Sequence, residues 1–429
     1  MLLRFRPSRL HAAFALLASA AIFAAPACFG PAQAAETVLY SFAGGADGRG
    51  ANSSFGSDTQ GTLYVITKDG GSYGQGTIFK LTPPVMSGQT KWTKSLLYTF
   101  QGKLDGGSPG GIPAFDTNGA IYGTTTAGGS SNAGVVYKLT PPWVSGQSGW
   151  TENVLYSFPI SFNGSNKSGL IFDTQGALYG VTSAGGTSNA GTVYKLTPGS
   201  GASQWNNTVL YSFKGLADGG HPGARPIFDT QGALYGTTRS GGNLHYGAVF
   251  KLTPPPTPGT GQWTEAVLYS FKGGADGFGN GRLIFDPQGA LYGEGSPTDF
   301  SGTTVGNATV FKLAPPPSGT APWVETVLSS PGGPAGFGGL IFDTQGDLYS
   351  TMPLGGSSNA GAVFRLTPPA AGKTQWTISV LYSFQGQSDG AMPAAGLIFG
   401  PGGVLYGIAS GGGTSGNGTI FQVSRPSCP

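Results

Sequence analysis

The chain has 429 residues, of which 77 are Gly and 32 Pro, and only 10% are charged. That much Gly and Pro can mark disorder, but 12% aromatic residues and regularly returning apolar runs exclude it. The formal charge of +3 belongs to Arg4, Arg6 and Arg9; without them 19 basic residues face 19 acidic ones, so nucleic acid is not an expected partner.

Those three arginines open an export signal read over residues 1–34. "AAFALLASAAIFAA" is its apolar core and "AQA" (Ala32, Gln33, Ala34) its cleavage site, with cleavage expected after Ala34. The apolar run is shorter than the ~20 residues of a membrane span and Pro26 interrupts it, so no span is expected once the signal is gone. Cys28 leaves with the signal, and Cys428 is then a lone, unpaired tail thiol. A secreted protein is expected, periplasmic or extracellular, and monomeric.

After the signal comes one isolated strand, "ETVLYSF" (Glu36 to Phe42), and then a repeat fills the remainder of residues 35–429. "FDTQGALYGTT" (Phe228 to Thr238) has near copies at Phe115, Phe172, Phe285 and Phe342. The tyrosines Tyr64, Tyr122, Tyr179, Tyr235, Tyr292, Tyr349 and Tyr406 lie 56 to 58 residues apart and count seven units. Each unit holds four strand-length stretches; in the fourth unit these are "ARPIFD", "ALYGTT", "GAVFKLT" and "WTEAVLYSF". Outside the signal no segment keeps a helical period. The fold predicted is all-β, a seven-bladed β-propeller of four-stranded blades. A β-helix is the alternative, though its rungs are usually much shorter. The last unit ends after "GTIFQV" without a Trp-led fourth strand, so Glu36 to Phe42 is expected to complete that blade and close the ring.

The phrase "VLYSF…DG…LIFDxxGxLYGTTxxGG…GxVFKLTP" resembles the tandem repeat of the GloVer-type "choice-of-anchor" proteins, which are exported bacterial repeat proteins. The resemblance covers essentially everything after the signal. It implies an exported β-propeller-like repeat protein and brings no catalytic residues with it.

Most repeated residues read as construction. The Asp of "DTQG" caps a hairpin turn; a calcium loop would need six to eight oxygens, and one Asp per turn supplies too few. The tryptophans are expected to pack between blades rather than form sugar platforms. The column Lys80, Lys138, Lys195, Lys251, Lys312 and Arg365 reads as solvated, and Glu152, Glu265 and Glu325 as surface charges. Function is then sought where the repeat breaks. Units four and five carry His221, Arg225, Arg239, His245, Arg282, Glu294 and Asp299, expected to face one concavity near the channel mouth. The competing reading is that variable loops collect charge without a role.

The chemistry points away from a defined catalyst. No nucleophile elbow is present. Two histidines with a carboxylate are the least a zinc site would need, and neither a metal nor a cofactor is expected. The function expected is a binding or interaction module for a glycan or a cell-surface protein. A polysaccharide hydrolase or lyase using Glu294, Asp299 or the histidines is the second reading, and an envelope scaffold the third.

Overall fold

The computed structural model describes residues 34–50, 54–84, 91–142, 149–162, 168–199, 205–257, 261–279, 281–298, 302–304, 306–317, 322–330 and 338–424. All of the export signal expected over residues 1–34 except Ala34, together with Cys428 and the candidate Asp299, lies outside the described residues. Every repeat makes one antiparallel sheet, and seven such sheets form an all-β, seven-bladed propeller. Among the described residues no helix is long and apolar enough to cross a membrane.

Blade 4 shows how the sequence writes a blade. Its second strand, Leu234–Ser240, and third strand, Ala248–Thr253, pair with Leu234 opposite Leu252 and Tyr235 opposite Lys251. The fourth strand, Thr264–Ser270, takes the outer edge. The first strand is not the continuous "ARPIFD" that the pattern predicts. It is split into Gly220–Pro222 and Ile227–Phe228, and Gly223 to Pro226 leave the ladder between them. Proline has no amide to donate, and the Gly and Arg beside it add no β preference.

The turn joining first and second strands is held by Asp229. One carboxylate oxygen accepts the amides of Gln231 and Ala233 at 2.9 and 2.8 Å, and the other accepts the Tyr235 hydroxyl at 3.1 Å. Lys251 stands 3.8 Å from the same carboxylate and over the Tyr235 ring. Asp116 with Lys138 and Asp173 with Lys195 repeat the arrangement. Lys138, Lys195, Lys251 and Lys312 of this column are therefore paired, not freely solvated as the sequence pattern suggested.

The apolar core lies in the seams between blades. One cluster joins Tyr122 and Phe158 of blade 2 to Leu178 and Tyr194 of blade 3, and six others repeat this relation around the ring. Trp205 meets Tyr122 of the neighbouring blade edge-on at 6.4 Å, and Trp263 meets Tyr179 likewise. Inside blade 4, Gly236 leaves room for the third strand's aromatic: a Cβ there would strike the Phe250 ring at 2.6 Å.

The strand Glu36–Ser41 pairs antiparallel with Thr419–Val423, running from Glu36 opposite Val423 to Ser41 opposite Thr419. Phe42, fully buried, sits in the seam between blades 7 and 1 against Phe79 at 6.0 Å.

Candidate functional site

The first strands of the blades surround the axis, and a cavity of about 340 Å³ opens there. Its wall is one structural column, the residue four before each turn's leading residue. Around the ring this column reads Ser54, Ile112, Gly169, Arg225, Arg282, Gly339 and Gly396. The first six line the cavity, together with Ser108, Ser168, Lys68 and Glu294. Two adjacent blades thus place an arginine where the others place small or apolar side chains.

The small residues make room for the large ones. The Arg282 side chain crosses Gly339 and Gly396 of blades 6 and 7, where an added Cβ would strike its guanidinium. One arm donates to the Gly338 carbonyl at 2.6 Å. Arg225 passes over Gly169 of blade 3, its Cδ 3.1 Å from where a Cβ would stand. Its guanidinium has no hydrogen bond or ion pair among the described residues. Burial depresses both arginines. Arg282 falls to about 10, because burial and the Arg225 charge outweigh the help from Glu294, and Arg225 is lowered by burial.

Glu294 occupies the second-strand position held by Thr124, Thr237 and Thr351 in other blades, and is only 4% exposed. The threonine at this place can reach the next blade's backbone, as Thr237 does to the Gly281 carbonyl at 2.8 Å. Glu294 reaches further and accepts the Ser350 hydroxyl at 2.8 Å. Burial pushes its carboxyl up to about 7, against the opposing pull of the Ser350 hydroxyl, the Arg282 charge and the Gly339 amide.

Of the seven residues singled out by their departure from the repeat, Arg225, Arg282 and Glu294 come together at the cavity. His221, Arg239 and His245 do not line it. His221 sits at a backbone position with φ 57°, shared by Ser108 and Met392, and its amide bridges to the Ala190 carbonyl of blade 3. Its ring turns to the Ser240 hydroxyl at 2.9 Å, and burial with the nearby Arg239 charge lowers its pKa. His245 is exposed, with φ 66°, in the turn position where other blades use Asn132, Asn189 and Asn359. His221 is therefore a strand residue in left-handed backbone and His245 a turn residue before either is anything else.

Two participants were missed. Ser350, the partner of Glu294, stands where five other blades have the Gly of "LYG", so "DLYSTM" carried the signal. Lys68 occupies the same second-strand column as Arg239 but faces the cavity. A further correction concerns Glu152, Glu265 and Glu325. They are half-buried in the seams, each with one carboxylate oxygen that no described residue hydrogen-bonds, rather than on the open surface.

The sequence profile of the Gloeobacter/Verrucomicrobia repeat matches residues 28–224 and 201–421. The chain belongs to this family. No curated protein matches the sequence significantly. Among solved structures, the propeller of this repeat-family chain is similar to a streptogramin B lyase with a TM-score of 0.52 at 14% identity, covering 91% of this chain and 98% of that one. A glucose dehydrogenase gives 0.43 at 13% identity, covering 91% and 99%. A gluconolactonase from Xanthomonas campestris gives 0.38 at 16%, covering 74% and 86%. At such identities the likeness to the lyase concerns the fold alone.

Proposed function

We propose that this protein works by binding, taking a small polar ligand or the projecting end of a glycan into the cavity at the propeller axis. The observation that carries this reading is Arg225, a guanidinium lining the cavity and without a hydrogen-bond or ion-pair partner among the described residues. Such a group costs stability unless something meets it, which makes a ligand the natural complement. The cavity's size fits one sugar ring or a group of similar bulk, at the small end of known ligand sites. Its neighbours Arg282, Glu294 and Ser350 supply donors and acceptors already held in place by the fold.

A glycan array probed with the purified protein tests this. Retention of defined glycans is expected, with at least tenfold weaker retention for Arg225→Ala at a melting temperature no lower than that of wild type. If the wild type retains nothing on the array, the glycan reading fails; if Arg225→Ala binds as well as wild type, the cavity is not where binding occurs.

Glu294 favours a second reading, a hydrolase or lyase acting on polysaccharide. A carboxyl pushed up to about 7 beside a ligand cavity is poised to give up a proton near neutral pH. Release of new reducing or unsaturated ends from polysaccharide, abolished by Glu294→Gln, would support catalysis over binding alone.

A further inference from the structure

We propose that the group seated at the axis carries a negative charge, the carboxylate of an acidic sugar, received by Arg225 with Arg282 beside it. This rests on the binding reading above and names its ligand class.

Charge makes the first argument. The described residues lining the cavity include Lys68, Arg225 and Arg282 against the single carboxylate of Glu294. Without Arg4, Arg6 and Arg9 the chain holds 19 basic and 19 acidic residues, so the positive excess at the axis is local and not a property of the chain as a whole. Low-dielectric walls focus that charge on whatever enters.

Placement makes the second argument. Arg225 and Arg282 are two turns of the same wheel, one structural column in adjacent blades, 57 residues apart in sequence. Gly169 on one side and Gly339 with Gly396 on the other leave the space their long side chains need. Arg282 spends one arm on the Gly338 carbonyl, which fixes its plane, while no described residue engages the Arg225 fork, which leaves it to a ligand. A planar fork of N–H donors matches the two oxygens of a carboxylate better than it matches a neutral hydroxyl.

The third argument is what the cavity lacks. Its described lining offers Ile112, Pro109 and alanines as apolar surface and no aromatic ring. A neutral sugar would have little to stack on, so charge and hydrogen bonding must supply the recognition. Both arginines are held below their ordinary basicity by burial, and an anion would relieve that.

Glucuronate and glucose differ only in the carboxylate and make the decisive pair. Calorimetry on the purified protein is expected to give glucuronate at least tenfold tighter binding than glucose, weakening as salt rises. Arg225→Gln should lose about tenfold for glucuronate and little for glucose, and Arg225→Lys should recover part of the loss. Inorganic phosphate is the third arm. If glucose binds as tightly as glucuronate, and Arg225→Gln affects neither selectively, the anion proposal is overturned while the binding reading stands. If neither sugar binds but phosphate raises the melting temperature of wild type and not of Arg225→Gln, the anion site stands and its sugar does not. If none of the three binds, the anion proposal fails outright.

Discussion

Among the described residues Glu294 is the one carboxylate lining the cavity with the two arginines, and its protonation sets the net charge they present. Its carboxyl is pushed up to about 7, so it is mostly charged at pH 8 and mostly neutral at pH 6. Of the groups around it, Arg282 stays protonated over this range, and the Ser350 hydroxyl and Gly339 amide are neutral; Arg225 and Lys68 are the other basic side chains on the cavity wall. Anion binding should therefore tighten as pH falls from 8 to 6, since the opposing charge is lost. Glu294→Gln fixes the neutral form, and the Ser350 hydroxyl can reverse its hydrogen bond to suit an amide. Calorimetric titration of glucuronate at pH 6, 7 and 8 should show a rising affinity for wild type and a flat, tight one for the variant. A wild-type affinity that ignores pH would mean that Glu294 does not speak to the bound group. At this scale the sequence was legible where a charged residue broke an inward-facing column, as Arg225, Arg282 and Glu294 did. It misled at His221, within a strand, and at His245, on a turn, because both answer to backbone geometry with positive φ, which no pattern of polarity reveals.

Strands two to four of each blade were legible because their alternation and β-branched content match a pleated, half-buried surface. First strands were not, since those of blades 4 and 5 are interrupted where the chain swings out to line the cavity. The fourth strands held something else that residue types concealed. Glu36, Glu152, Glu265 and Glu325 stand at equivalent seam positions, each pushed up to about 7 by burial and then by Asp389, Asp105, Asp218 and Asp276 respectively. In blade 1 the same position is Lys94, which pairs with Asp47 and takes the Asp47 backbone carbonyl and the Tyr40 hydroxyl as well. A charge could not be told from its burial before the seams were known. The consequence is a pH dependence. A carboxyl whose folded pKa is raised from 4.5 to about 7 binds more protons folded than unfolded, so its contribution is complete below about 4.5 and lost as pH rises through 7. The lowered His221 acts oppositely, but only below its ordinary 6.5, and the lowered Asp47 and Asp173 act in more acid solution. Thermal melts should therefore give a higher midpoint at pH 5 than at pH 8. A Glu152→Gln, Glu265→Gln, Glu325→Gln triple variant should show a smaller difference. Equal midpoints in the wild type would show that these seams stay hydrated enough to ionise freely.

The whole molecule has to join its last repeat to its first, because a propeller's core lies between blades and each blade needs two neighbours. Six of those seams form between consecutive repeats, and local contacts along the chain suffice to make them. The seventh brings Tyr406, Ile408 and Ile420 of the last repeat against Phe55, Val65 and Phe79 of the first, with Phe42 between them. The segment that reaches across is Glu36–Ser41, paired along Thr419–Val423, with Tyr40 and Phe42 packed on Phe79. Count and spacing of the repeats made seven blades legible, but the weight carried by one six-residue strand is a matter of energy that no count supplies. Removing residues 36 to 41 would uncover the backbone groups of Thr419–Val423 and loosen Phe42 from its seam. An open strand edge invites pairing with a second chain. The truncated protein is expected to melt on the order of 10 °C lower than one that keeps the strand, and to associate as its concentration rises. Circular dichroism melts with light scattering at several concentrations read both effects. A truncated chain that melts with the full one and stays monomeric would assign closure to the apolar seam alone, with the paired strand as a passenger.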